Sequence, residues 1–152
     1  DPVAVYAHEF NPGNSWYKGD AAASCIFEMT DGVVFSYNGS WCTEGKQTSW
    51  NGSWRIAGEK GTVLLEDDQA PETEVVKGKI SGMQAELKDL KPVKPRLKHD
   101  TMHGALREML AFLRTGKRPQ TECHDNIKSL AMVFAAMESS RKGRRVKMPK
   151  MK

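Results

Sequence analysis

Long apolar runs are missing from this chain, and without one of about 20 residues no helix can cross a bilayer. No charged-then-apolar leader opens it either, which argues against secretion. Cysteine is scarce: Cys25, Cys42 and Cys123 are an odd number and none stands in a C-x-x-C pair. That excludes a disulfide frame and predicts small buried thiols in a reducing, cytoplasmic compartment. The glycines never fall into G-x-G-x-x-G, so the chain lacks the tight strand-to-helix turn that cradles a dinucleotide pyrophosphate. No G-x-S-x-G elbow is present to raise a nucleophilic serine. A basic face is lacking as well, despite a net charge of +4. Residues 141–152 hold seven of the 23 basic residues and no acid, leaving 16 basic against 19 acidic residues elsewhere. Basicity of this kind is a solvated tail and predicts no nucleic-acid partner.

What remains is the composition of one globular domain, 39% apolar and 28% charged over 152 residues. Two-residue alternation predicts strands at Val3–Phe10, Ala21–Met29 and Val33–Cys42, with Asp31-Gly32 turning the last pair into a hairpin. Two Asn-Gly-Ser-Trp tetrads, at Asn38 and Asn51, predict a long aromatic hairpin from Tyr37 to Gly61. Ser53–Ala57, Thr62–Glu66, Glu74–Ile80 and Met83–Leu87 extend the meander, and the prolines of Lys91–Lys98 close it. Helical spacing then takes over. Asp100 is placed to cap a helix with Met102, Leu106, Met109, Leu110 and Leu113 on one side, ended by Gly116. Thr121 is placed to cap a second, whose stripe Ile127, Leu130, Ala131, Phe134 and Met137 runs until Gly143 stops it, before a short strand within Arg144–Met148. Strands first and helices afterwards predict an α+β fold: an open antiparallel meander sheet of about six to seven strands, with two C-terminal helices packed on one face.

Two groups of residues carry functional readings. Trp16 and Tyr17 stand in the loop Asn11–Gly19, and Trp41 and Trp50 in the tetrad region. Flat aromatic surface stacks on the C–H face of a sugar, although tryptophan also simply packs a sheet. These four are the candidate substrate contacts. On the sheet face turned away from Phe35 and Trp41, the residues Ala22, Ile26 and Val34 are small or apolar where a solvated face alternates with charge. They are the candidate oligomer interface. The histidines point less far. His99-x-x-x-His103 would share a helical face only if the helix began early, and Asp100 as cap leaves His99 outside, so no metal is expected.

SWCTEGKQTSWNGSWRIAGEKGTV, followed by HGALREMLAFLRTGKRPQT from His103 and DNIKSLAMVFAAMESSRKGRRV from Asp125, resembles the C-terminal domain of the Gfo/Idh/MocA oxidoreductases, the glucose-fructose oxidoreductase and inositol dehydrogenase family. The resemblance covers nearly the whole chain, as a domain over 1–148 with a basic tail at 149–152. It implies a parent that is an NAD(P)-dependent dehydrogenase of sugars or cyclitols, acting on CH–OH groups, with an N-terminal Rossmann domain and a C-terminal sheet that shapes the substrate site and builds dimers or tetramers. The Rossmann half is not in this sequence. In the family the catalytic lysine belongs to that half, in a Glu-Lys-Pro type motif that Glu59-Lys60-Gly61 does not match. The catalytic histidine falls before Asp1, and none of His8, His99, His103 and His124 matches it. The expectation is therefore a substrate-side and oligomerisation domain with no catalytic residue and no cofactor of its own, NAD or NADP serving the parent, a missing Rossmann domain as partner, and a small sugar-like substrate. The alternative is a stand-alone binding or assembly module that uses the same sheet without a cofactor.

Overall fold

The computed structural model describes residues 1–79, 83, 85–92, 99–120 and 122–149. It is α+β, as expected, but the strands divide into two sheets of four. One compact unit comprises residues 1–43 and 99–152, the other residues 44–98.

In the first unit, β1 (Pro2–Phe10) pairs antiparallel with β2 (Ala22–Met29), and β2 with β3 (Val34–Ser40). The β2–β3 turn uses Asp31 and Gly32 at φ 60° and 72°, the left-handed pair that Asp-Gly favours. The unit continues with α1 (Thr101–Thr115), α2 (Cys123–Lys142) and a two-residue strand β8 (Val146–Lys147), which adds to the free edge of β1 and gives the order β3-β2-β1-β8. Gly116 and Gly143 end the helices in left-handed geometry, as the sequence predicts. Thr121 lies outside the described residues, and Glu122 is the cap of α2.

The core lies between α2 and one sheet face, where Val5, Ala7, Cys25 and Phe27 are buried with Ala135 and Ala136, and Phe35 packs against them. Phe27 and Phe35 stack at 5.7 Å. The parity of the strands is as expected, but α2 turns a different side to the sheet. Leu130 and Phe134 are 54% and 60% exposed, while Ala135, Ala136 and Ser139 are buried. Hydrogen bonding explains this. Beyond Val5, where β8 ends, β1 has unpaired N–H groups on its outer edge. Ala7 N donates to Ser139 Oγ at 3.0 Å and Glu9 N to Ser140 Oγ at 2.8 Å, so the serine side of α2 satisfies them. Small residues beside the serines let the helix come that close. The expectation that both helices pack on the sheet holds for α2 alone: none of the residues of α1 is buried, and its stripe Met102, Leu106, Met109, Leu110 and Leu113 is exposed.

The second unit is a meander, β4 (Trp54–Gly58), β5 (Gly61–Leu65), β6 (Glu72–Val76) and β7 (Leu87–Leu90), in that order. The predicted last hairpin forms from Glu72–Val76 and Leu87–Leu90; Ile80 lies outside the described residues, as do residues 93–98 of the predicted linker. The predicted long hairpin from Tyr37 to Gly61 does not form, since β3 and β4 belong to different sheets. Gly45 and Gly52 take φ of 89° and 71°, which interrupts extended backbone between them. Asp68 then accepts hydrogen bonds from Ser49 Oγ and Asn51 Nδ2 at 2.9 and 2.8 Å, tying this stretch to the β5–β6 turn rather than to β3. Those two bonds hold the Asp68 carboxyl below its usual range.

Candidate functional site

At one end of the first sheet the loop between β1 and β2 folds back on the chain leaving β3. Asn11 Nδ2 donates to Tyr17 O at 3.0 Å, and Asn14 Nδ2 to Cys42 O at 2.8 Å. The backbone closes the same corner, with Trp41 N donating to Ala21 O at 2.9 Å. Short polar side chains suit the work, because asparagine both breaks the strand and bonds nearby carbonyls. The result is a shallow recess of about 170 Å³ lined by Tyr17, Asp20, Ala21 and Trp41. Trp16 stacks on Tyr17 at 5.1 Å with 27° between the rings and is itself 75% exposed.

The structure therefore brings together three of the four aromatics singled out in the sequence, Trp16, Tyr17 and Trp41. Trp50 belongs to the other unit and is 91% exposed. Asp20 is the residue that sequence reasoning missed. Its signal was present, an acid directly before a strand and beside an aromatic pair, but a lone acid next to glycine reads first as a turn residue. The arrangement is chemically definite: aromatic faces for C–H groups and a carboxylate that accepts hydrogen bonds from hydroxyls. The recess is smaller than the about 300–1,000 Å³ of pockets that enclose a ligand. It can hold one face of a small molecule, not surround it.

Of the proposed interface residues, Ile26 and Val34 stand 52% and 62% exposed on the open face of the sheet, whereas Ala22 is covered. Tyr6 and Phe10 join them there, each about half exposed, and the register places Ile26 beside Tyr6. Glu28, an acid on the same face as Ile26, is paired by Arg145 in a two-pronged bond at 2.5 Å. The Arg145 hydrogen bond holds the Glu28 carboxyl below its usual range despite some desolvation.

Other polar side chains among the described residues have evident structural partners, with the exception of His99 Nε2, which is buried without one. Glu122, Cys123 and His124 cluster at the start of α2, where Glu122 accepts from His124 N at 3.1 Å and lies 2.7 Å from His124 Nδ1. The bond to the His124 side chain is the main reason the Glu122 carboxyl sits low. All three cysteines are free; burial, and then the charge of Glu9, push the Cys25 thiol up, which makes it a packing residue rather than a nucleophile. Glu59 and Lys60 stand at the β4–β5 turn, lining an open groove of about 520 Å³ with Val75, Val76 and Gly78. Among the described residues no helix is long and apolar enough to cross a membrane.

Comparison with known proteins agrees with this architecture. The uncharacterized protein y4oX of Sinorhizobium fredii is 26% identical over 151 residues, which are 95% of this chain and 41% of that protein. Among solved structures, the WlbA dehydrogenase of Bordetella pertussis, in complex with NADH and UDP-GlcNAcA, is similar at a TM-score of 0.67 and 21% identity, over 99% of this chain and 40% of its own. The aldose-aldose oxidoreductase of Caulobacter crescentus, complexed with glycerol, is similar at a TM-score of 0.69 and 18% identity, over 97% of this chain and 42% of its own. The chain thus spans about two-fifths of the length of these relatives. Residues 3–148 match the Gfo/Idh/MocA family described as "Oxidoreductase family, C-terminal alpha/beta domain", and the chain belongs to that family.

Proposed function

We propose that this chain is the substrate-side and oligomerisation domain of an NAD(P)-dependent dehydrogenase of sugars or cyclitols, working in the cytoplasm and inactive by itself. The observation that carries the reading is the open face of the first sheet. Tyr6, Phe10, Ile26 and Val34 leave apolar surface in water on the side opposite α2, and the one acid among them is neutralised by Arg145. A face of that kind favours a second copy of the chain. The exposed stripe of α1 adds to the argument. A 15-residue helix with none of its residues buried has little to hold it, since short helices in water depend on packing of their apolar side. An N-terminal dinucleotide-binding domain, the partner the family implies, would supply that packing. Free cysteines, with Cys25 and Cys42 buried and Cys123 exposed, support a reducing compartment.

The proposed contacts to a sugar-like substrate are Trp16, Tyr17 and Trp41, with Asp20 as a hydroxyl acceptor; Trp50 belongs to the second unit and is not part of this recess. A stand-alone binding module is the second reading, and it is favoured by one feature: the aromatic recess lies wholly within the first unit and needs nothing else to form. Cofactor chemistry separates the two classes of activity from the chain itself. The phosphate-cradling glycine turn is not in this sequence, so calorimetry of the chain with NAD and with NADP should give no binding. Stoichiometric binding at micromolar affinity would overturn the assignment of cofactor binding to a separate domain.

A further inference from the structure

The two edges of the first sheet are built differently. β8 closes one side: it is two residues long and carries Lys147, and beyond it the serines of α2 take the outward N–H groups of β1. Short strands, lysines and covering elements keep a sheet edge from pairing with another chain. β3, at the other side, lacks these protections. Its seven residues include no charge and no proline, and its register with β2 runs without a bulge. The parity of its hydrogen bonds is set at its two ends. Met29 N donates to Val33 O at 2.8 Å and Trp41 N to Ala21 O at 2.9 Å, so the odd-numbered residues bond to β2. The N–H and C=O groups of Val34, Ser36, Asn38 and Ser40 therefore point outward, and these residues are all exposed. Among the described residues no strand lies beside them.

We infer that this edge pairs antiparallel with β3 of a second copy, joining two first sheets into one across a two-fold axis. A register centred on Tyr37 sets Val34 opposite Ser40 of the second copy and Ser36 opposite Asn38. Every outward-facing residue then exchanges both its backbone hydrogen bonds with another outward-facing residue. A centre at Ser36 would leave Ser40 beyond the ladder, and a centre at Asn38 would leave Val34 beyond it. A strand that satisfies itself in this way, with no charge to repel its own copy, selects a second copy over an unrelated strand. Tyr37, 45% exposed, meets its counterpart at the axis, and aromatic pairs strengthen such ladders. This pairing rests on the oligomerising role proposed above but uses the strand edge instead of the open face. The two contacts are compatible, because edge pairing keeps the open face on one side of the joined sheet. The recess is affected too. The same register brings Val33 of the second copy, 57% exposed in the single chain and extended in backbone, opposite Trp41. Opposite residues of an antiparallel pair point to the same side of the sheet, so the second copy gives the shallow recess beside Trp41 a further apolar wall.

Ser36→Pro tests the pairing, because it removes an N–H that only the second copy uses and leaves the ladder to β2 whole. Light scattering at about 100 μM, far above the micromolar range of specific association, should show that Ser36→Pro roughly halves the mass of the parent. Val34→Lys separates the two contacts: it disrupts the open face, but at the edge it stands opposite Ser40 and not opposite its own copy. It should reduce the parent no further than a dimer, and the double variant should be a monomer. Circular dichroism of Ser36→Pro ensures that loss of mass is not loss of fold. Hydrogen exchange on the parent needs no substitution: the amides of Val34, Ser36, Asn38 and Ser40 should be protected at that concentration and lose protection on dilution. An oligomer whose mass Ser36→Pro leaves unchanged, or whose Ser36 and Asn38 amides exchange as freely at high concentration as at low, would overturn the edge pairing and leave the oligomerising role standing. A monomeric parent would remove both.

Discussion

Among the described residues Ser139 is the one polar residue that is fully buried, and it decides how the longer helix sits. Its hydroxyl accepts from Ala7 N and donates to Arg144 O at 2.7 Å, so it serves both the open edge of β1 and the end of α2. Ser139→Ala should therefore cost about 1–3 kcal/mol, the range for leaving a buried polar group unsatisfied. Phe134→Ala, which the apolar stripe would have made a core truncation of about 3–5 kcal/mol, should cost less than about 1 kcal/mol because the ring is mostly in water. Denaturant melts of the two variants against the parent check the order. A larger loss at Phe134 than at Ser139 would mean that α2 packs by its large residues after all. The residue lesson is specific: hydrophobicity marked the side of α2 with the most apolar surface, while the contact was chosen by hydrogen-bonding need at a strand edge.

Among the elements, β5 is central to the second sheet, and Gly61 at its start carries a steric constraint. Its position opposite Val75 brings the backbone of β6 so near that a Cβ would meet Glu74 O at 2.1 Å and Val75 Cα at 2.9 Å. Neither backbone atom can rotate away. Gly61→Ala should thus part the β5–β6 ladder locally and destabilise the second unit by about 1–3 kcal/mol, as overpacking does. Hydrogen exchange should show the loss first at the amides of Glu72–Val76; unchanged protection there would refute the constraint. The tetrad stretch teaches the converse. Two Asn-Gly pairs flanked by aromatics have the local pattern of a hairpin, but the bonds from Ser49 and Asn51 to Asp68 are made across 17 to 19 residues and draw the stretch toward β5 and β6. Nothing local in the tetrads announces that partner.

At the scale of the whole molecule, the open face of the first sheet is the feature that a single copy leaves unexplained. Pairing two such faces across a two-fold axis would remove Tyr6, Ile26 and Val34 from water. At about 25 cal/mol per Å², a modest apolar interface offsets several kcal/mol of association cost. Light scattering should find the chain associated at about 100 μM, far above the micromolar range of specific association. Val34→Lys, which places a charge at a position 62% exposed and therefore harmless to a monomer, should dissociate it. A monomeric parent would remove the interface, and an oligomeric parent untouched by the lysine would place it elsewhere.

The sequence by itself determined the elements and the family. Two-residue alternation, left-handed turn residues and helix stops are local properties, and β1, β2, the Asp31-Gly32 turn and both glycine helix ends lie close to where those properties put them. The order of the tetrad stretch and the two helical runs likewise sufficed for the family. Which strands share a sheet, which side of α2 meets it, and that Asp20 joins Tyr17 and Trp41 were decided only in three dimensions. Each depends on a partner far away in the chain: Asp68 for the tetrads, the bare edge of β1 for Ser139, the fold-back of the β1–β2 loop for the recess. Periodicity reports how a segment divides its surface between water and protein. It does not report which protein groups are waiting on the other side, and those groups made the choice.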